Sequence, residues 1–172
     1  PQEDAGDRAS DTQYLNRQII RTGHVTLEVE NFERAKQRLA ADARSLGGFV
    51  SDSSERLHRV DNQTYKTGRV RVRVPREDFD TMMTRINTTG TVLRATIVSQ
   101  DVTEQLVDLE ARLENLRAER DRLRELYEQA EDTEAILRVD RRLSDVQGEI
   151  ERLEARQQSL ERRVALSTIT IE

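Results

Sequence analysis

Residues 105–123 read "QLVDLEARLENLRAERDRL". Leu106, Leu109, Leu113, Leu116 and Leu123 recur there on the short repeat of a helix with one narrow apolar seam. Such a seam must be covered by something. Followed outward, the stripe starts at Val102 and runs on through Tyr127 and Ala130. A second stripe comprises Ile136, Val139, Leu143, Val146, Ile150, Leu153, Gln157, Leu160 and Val164. Between them "EDTE" (residues 131–134) offers Asp132 or Thr133 as a helix cap. With the turn centred on Thr133, Leu123 meets Leu143, Leu116 meets Ile150, Leu113 meets Leu153 and Leu106 meets Leu160. The cover is then the chain's own return, an antiparallel coiled-coil hairpin over residues 102–163. Arms of about 30 residues reach roughly 45 Å at 1.5 Å per residue. Isolated helices are marginal in water. Burial of each seam leucine contributes about 1.5–3 kcal/mol before entropy, so closure of the seam is what makes the arms helical.

Upstream, the apolar period changes from helical to alternating and back. "QIIRTGHVTLEVE" (18–30) sets Val25, Leu27 and Val29 against Thr26, Glu28 and Glu30, the mark of a half-buried strand. "NFERAKQRLAADARSLGG" (31–48) predicts a helix capped by Asn31, with Phe32, Ala35, Leu39, Ala43 and Leu46 on one side and a Gly47-Gly48 stop. "FVSDSSERLHRV" (49–60) is a weaker strand, and "DNQ" reads as a turn. "TGRVRVRVP" (67–75) is the clearest strand, with Val70, Val72 and Val74 inward and Arg69, Arg71 and Arg73 outward. "REDFDTMMTRINTTG" (76–90) predicts a second helix, and "TVLRATIVSQ" (91–100) a fourth strand.

The order is β-α-β-β-α-β, which predicts an α+β fold with a ferredoxin-like layer. "VALSTITIE" (164–172) adds a fifth, C-terminal strand after the hairpin. Carried on, the Thr133-centred register sets Ile97 against Ile169 and Ala95 against Ile171. The fourth and fifth strands are therefore expected to pair antiparallel, in a sheet ordered 5-4-1-3-2. The expected organisation is a polar tail over 1–17, a sheet domain over 18–101 and 164–172, and the coiled-coil hairpin inserted between.

Composition agrees with a lean core: 35% of the 172 residues are apolar and 35% are charged. A net charge of −5 speaks against a nucleic-acid coat, which needs clustered cations. The absence of cysteine removes disulfides, thiolate metal sites and thiol nucleophiles. Lys36 and Lys66 are the only lysines among 28 basic residues, as in a GC-rich genome or a salt-adapted protein. No apolar run is long enough to span a bilayer. The polar opening "PQEDAGDRASDTQ" reads as a linker or a mature N-terminus.

The stretches "IIRTGHVTLEVENFERA", "GGFVSDSS", "GRVRVRVPREDFD", "SQDVTEQLVDLEARLENL" and "LSDVQGEIERLEARQQSLERRVALSTITIE" resemble a known family. It is the domain of unknown function 4349 family of prokaryotic cell-envelope proteins and lipoproteins. The resemblance runs from about Arg17 to the end. It implies an extracytoplasmic, membrane-associated setting, since family members typically carry a lipoprotein or secretion signal and many a transmembrane helix after the last strand. This chain shows neither, so the resemblance implies an extracytoplasmic portion of a longer product. It supplies no activity, cofactor or catalytic residue.

The residues themselves nominate surfaces rather than chemistry. His24 and His58, the only histidines, belong to no triad or metal-spaced set, so no catalytic, cofactor or metal site is expected and the chain is read as a non-enzyme. Arg69, Arg71 and Arg73 form a cationic row that either docks an anionic partner or pairs across strands with Glu28 and Glu30. Arg120 and Gln157 interrupt the seam, and Gly148 sits on an outer helix position. These three either set register and are tolerated, or meet a second chain. The acidic tip residues Glu128, Glu131, Asp132 and Glu134 are either simply solvated or dock a basic partner. Asn62 and Asn87 head N-glycosylation patterns in expected turns. The expected function is a non-enzymatic cell-envelope module, its sheet domain near a membrane and its coiled coil a spacer or a protein-interaction and self-association arm. The alternative is a ligand- or glycan-sensing domain using the arginine-lined face.

Overall fold

The computed structural model describes residues 17–60, 63–129 and 132–172. The tail through residue 16, together with Asp61 and Asn62 of the expected turn and Ala130 and Glu131, lies outside the described residues. The chain divides into two compact units: residues 18–101 with 162–172, and an insertion of residues 102–161.

The first unit is a mixed α+β layer. Its strands are β1 (Ile19–Glu28), β2 (Phe49–Val60), β3 (Gln63–Pro75), β4 (Thr91–Asp101) and β5 (Leu166–Ile171). Helix α1 (Phe32–Ser45) follows β1, and helix α2 (Phe79–Asn87) follows β3 after a short 3-10 turn. The helix ends form for local reasons. The Asn31 side chain accepts from the Arg34 N–H at 2.9 Å, satisfying an orphan donor. At the other end, Gly47 takes φ +72°, and the Gly47 and Gly48 N–H groups reach the carbonyls of Arg44 and Ala43. The buried faces follow the helical period: Ala35, Leu39 and Ala43 on α1, and Phe79, Met82, Met83 and Ile86 on α2. They meet Val25, Val70, Val72, Val74, Ile169 and Ile171 from the sheet to form one core.

The sheet order is β2-β3-β5-β1-β4, which corrects the expected order 5-4-1-3-2. β5 does not pair with β4. It lies between β3, to which it is antiparallel, and β1, to which it is parallel. The reason is visible in the register. Ile97 on β4 and Ile169 on β5 both stand opposite Gly23, and Ala95 and Ile171 both stand opposite Val25. The two strands run in opposite senses with their residues in the expected rows, but β1 lies between them. The last strand thereby separates β1 from β3, the neighbours of a ferredoxin-like sheet. The choice has an energetic basis. At the edge, β5 would have one ladder and a half-covered face, whereas in the middle it has two ladders and buries Ile169 and Ile171.

The second unit contains α3 (Thr103–Gln129) and most of α4 (Thr133–Ala165). Leu113, Leu116 and Leu123 of α3 and Val146, Ile150 and Leu153 of α4 form one apolar cluster. Charged side chains bridge the two helices beside it: Arg117 to Glu154 at 2.6 Å and Arg142 to Glu119 at 2.6 Å. Partner numbers fall on α4 as they rise on α3, so the helices run in opposite directions. Neither bridge lies in the register centred on Thr133; the two are offset from it in opposite senses. Asp132 caps α4, its Oδ2 accepting from the Ala135 N–H at 3.2 Å.

The central seat of β5 is tested by comparing two isoleucines opposite the same glycine. Ile169→Ala removes a fully buried side chain and is expected to cost about 2–5 kcal/mol. Ile97→Ala acts on an edge residue that is 48% exposed and is expected to cost well under half as much. Urea denaturation of both variants checks the contrast; equal losses would contradict the observed order.

Candidate functional site

The open face of the sheet, opposite α1 and α2, is polar and rich in threonine. β3 contributes Arg69, Arg71 and Arg73, β5 contributes Thr168 and Thr170, and β1 contributes Thr22, His24 and Thr26. The arginine row does not pair with Glu28 and Glu30 as the cross-strand alternative expects. β5 stands between β3 and β1, so the carboxylates are a strand too far away. Arg69 instead bonds Glu172, its Nε and Nη2 lying 2.7 and 2.6 Å from Glu172 Oε1. Arg71 and Arg73 are half-buried and stand opposite Thr170 and Thr168. Among the described residues neither makes an ion pair, although Asp52 is the neighbour of Arg71 on β2. The row is therefore one ion-paired arginine followed by two without an ion pair among the described residues. His24 is exposed on this face, and His58 Nε2 lies 3.0 Å from Thr67 Oγ1.

On the helix side of the sheet, a cleft of about 590 Å³ opens between α1 and the ends of β1, β3 and β5. Leu27, Phe32, Leu39, Val70 and Ile171 line it. Gly68 makes room for its aromatic wall: a Cβ there would come within 2.3 Å of the Phe32 ring. At its rim stand both lysines of the chain. Lys66 Nζ is 3.0 Å from Glu33 and 3.8 Å from Glu55, and Lys36 Nζ is 3.6 and 3.9 Å from the same two carboxylates. The hydrogen bond from Lys66 holds the Glu33 carboxyl below the usual range, and the same bond raises the Lys66 ammonium. Four alternating charges thus cancel at the mouth of an apolar cleft. Sequence reasoning missed this site. The only available signal was the rarity of lysine, which does not show that Lys36 and Lys66, 30 positions apart, would meet.

A second missed element is Arg21. It shares the inward parity of Gly23 and Val25, and an arginine at an inward strand position was the available signal. Its guanidinium lies 4.1 Å from the centre of the Phe79 ring and bonds both Asp80 oxygens at 2.8 Å. That two-point bond lowers the Asp80 pKa and raises that of Arg21.

The insertion carries the remaining nominated residues. Arg120 is half-buried and bonds its own helix neighbour Asp121 through Nε and Nη2. Gln157 is also half-buried. A Cβ on Gly148 would meet nothing within 4 Å, so no neighbour within the chain requires glycine there. Two of the tip acids are engaged locally: Asp132 caps α4, and Glu134 pairs with Arg138 at 2.9 Å. Glu128 is exposed. Beside these acids the same end of the unit exposes Leu126, Tyr127 and Leu137, which a charge-based reading passes over. Asn87 is the last residue of α2 rather than a turn residue, and the hydroxyls of Thr88 and Thr89 both bond the Arg85 carbonyl.

Among the described residues no group of three or more His, Asp or Glu side chains is placed to hold a metal ion. No described helix is long and apolar enough to cross a membrane. What the coordinates define is a mixed α+β domain with a long helical insertion between its fourth and fifth strands. The chain belongs to the DUF4349 family, a domain of unknown function, whose sequence profile matches residues 17–172. No curated protein and no solved structure matches it.

Because the folded pKa of Asp80 is depressed, the stability it contributes is present above the unfolded carboxylate value of about 3.9 and is lost as pH falls through the folded value. The Asp80 carboxylate is largely solvent-exposed, so the pair's contribution is small, about 0–1 kcal/mol. Side-chain carboxyl NMR titration is expected to place Asp80 below the ordinary aspartate range and Arg21→Ala to return it there. An unchanged Asp80 midpoint in the variant would contradict the pairing.

Proposed function

We propose that this chain is a non-enzymatic module of the cell envelope whose paired long helices act as a coiled-coil arm and whose arm tip binds a protein partner. The envelope setting rests on the family resemblance carried by the quoted stretches. The binding role rests on one observation: Leu126, Tyr127 and Leu137 are exposed at the end where α3 gives way to α4. The seam leucines nearer the middle of the unit are covered by the opposite helix. An exposed apolar group on an otherwise charged helix pair loses nothing by being covered, and each buried side chain would add about 1.5–3 kcal/mol to an association. Since Asp132 and Glu134 are engaged locally, recognition is apolar at its centre, with Glu128 at the rim. A photo-crosslinking side chain at position 126 or 137, introduced in cells, is expected to capture one and the same protein in the envelope fraction. Leu137→Glu is expected to reduce the yield from position 126 at least tenfold, while a crosslinker at the exposed mid-arm Arg152 captures none of it. Equal capture from all three positions would refute the tip reading.

The half-buried charges of Arg71 and Arg73 favour a second reading, in which the open sheet face binds an anionic ligand. Polyphosphate or a sulfated glycan is then expected to raise the melting temperature by mass action. Arg71→Glu is expected to abolish that rise with the fold intact; a rise that persists in the variant removes this site.

A further inference from the structure

We infer that β4 is a self-association edge, pairing antiparallel with β4 of a second copy of this chain to join two sheets into one. The sheet has two edge strands, β2 and β4, and they differ in kind. β2 carries Asp52, Glu55, Arg56 and Arg59, and a bulge falls between Val50 and Asp52. Charges and bulges of this sort are the devices that keep an edge from recruiting another strand. β4 lacks them along its centre. From Ala95 to Gln100 it reads Ala-Thr-Ile-Val-Ser-Gln, with no charge, proline or glycine. Past its own irregularity at Leu93, Arg94–Asp101 pairs with β1 without interruption, so the outer side is a regular template too. Ile97 and Val98 are 48% and 53% exposed, on opposite faces of this strand. A short uncharged segment of high β propensity on an open edge is the sequence type that accepts another strand.

The second copy is chosen over a foreign strand because the edge is self-complementary. Two-fold pairing perpendicular to the sheet places only residues of equal parity opposite each other. Centred on Ile97, it sets Ile97 against Ile97 of the other copy on one face. On the opposite face it sets Thr96 against Val98 of the other copy. Ala95 meets Ser99, and Arg94 reaches the end that carries Gln100 and Asp101, so cation meets the acidic end twice. No like charges are opposed. The contact is isologous and closes after two copies, leaving the guarded β2 edges outermost.

The chain has no cysteine, which makes the register directly testable. Ile97→Cys is expected to form an intermolecular disulfide on mild oxidation, because symmetric opposition brings the two Cβ atoms within bonding reach. Leu57→Cys, at a still more exposed site on β2, is expected to remain monomeric. Light scattering across a concentration series is expected to show a dimer for the parent chain. Ile97→Lys is expected to weaken it at least tenfold with circular dichroism unchanged, and the tip variant Leu137→Glu to leave it intact. A parent chain that stays monomeric at millimolar concentration overturns the inference, as does equal crosslinking at positions 57 and 97. Should Ile97→Lys disturb the fold, the cysteine pair alone decides.

Discussion

The structure depends on the insertion of the last strand into the middle of the sheet. β5 supplies the hydrogen-bonding partner on one side of both β1 and β3, and it places Ile169 and Ile171 beneath α1 and α2. Without it, two strands that are each paired on their other side would face a gap in the centre of the core. An edge strand can fray at modest cost, because its loss exposes one ladder. A central one cannot, because its loss exposes two ladders and the apolar layer between them. Several surfaces of the sheet unit follow from that placement. The arginine row faces threonine instead of glutamate, Glu172 comes within reach of Arg69, and β4 is left at the edge.

Much of the layer is legible in the residues because local rules decide it. The Asn31 cap, the Gly47 stop, and the inward valines at 70, 72 and 74 are each set by neighbours close in sequence, and all stand in the structure. The position of β5 is not local. Its partners are chosen by which gap gains most from being filled, and a register argument cannot see that gap. Opposing Ile97 and Ile169 satisfies the same arithmetic whether the strands touch or flank a third strand, since both align with Gly23. Residues 95–97 and 169–171 thus gave a correct row and a wrong neighbour.

The surfaces divide in the same way. Arg69, Arg71 and Arg73 could be placed on one face from their alternation alone. Which of them is ion-paired could not, because Glu172 reaches Arg69 only through the central strand. The lysine pair with Glu33 and Glu55 is a meeting of α1, β2 and β3, and nothing in any one of those segments announces it. At the far end of the insertion, two of the acids are engaged in a cap and an intrahelical pair, and the exposed apolar side chains Leu126, Tyr127 and Leu137 stand beside them, a feature that charge patterning does not reveal.

A sheet completed by a strand that follows the other four so late in sequence also has a temporal order. During synthesis, β1 to β4 leave the ribosome well before Leu166–Ile171, so the centre of the layer stays unfilled until translation of this segment ends. The long interval between β4 and β5 would make that closure slow if it were slack, since joining distant ends costs chain entropy that grows with the length of free loop. Helices that find each other first shorten the effective loop and carry the final residues back toward their seat. The insertion thus bears on how fast the nascent domain can hide its interior, independently of what it binds once folded.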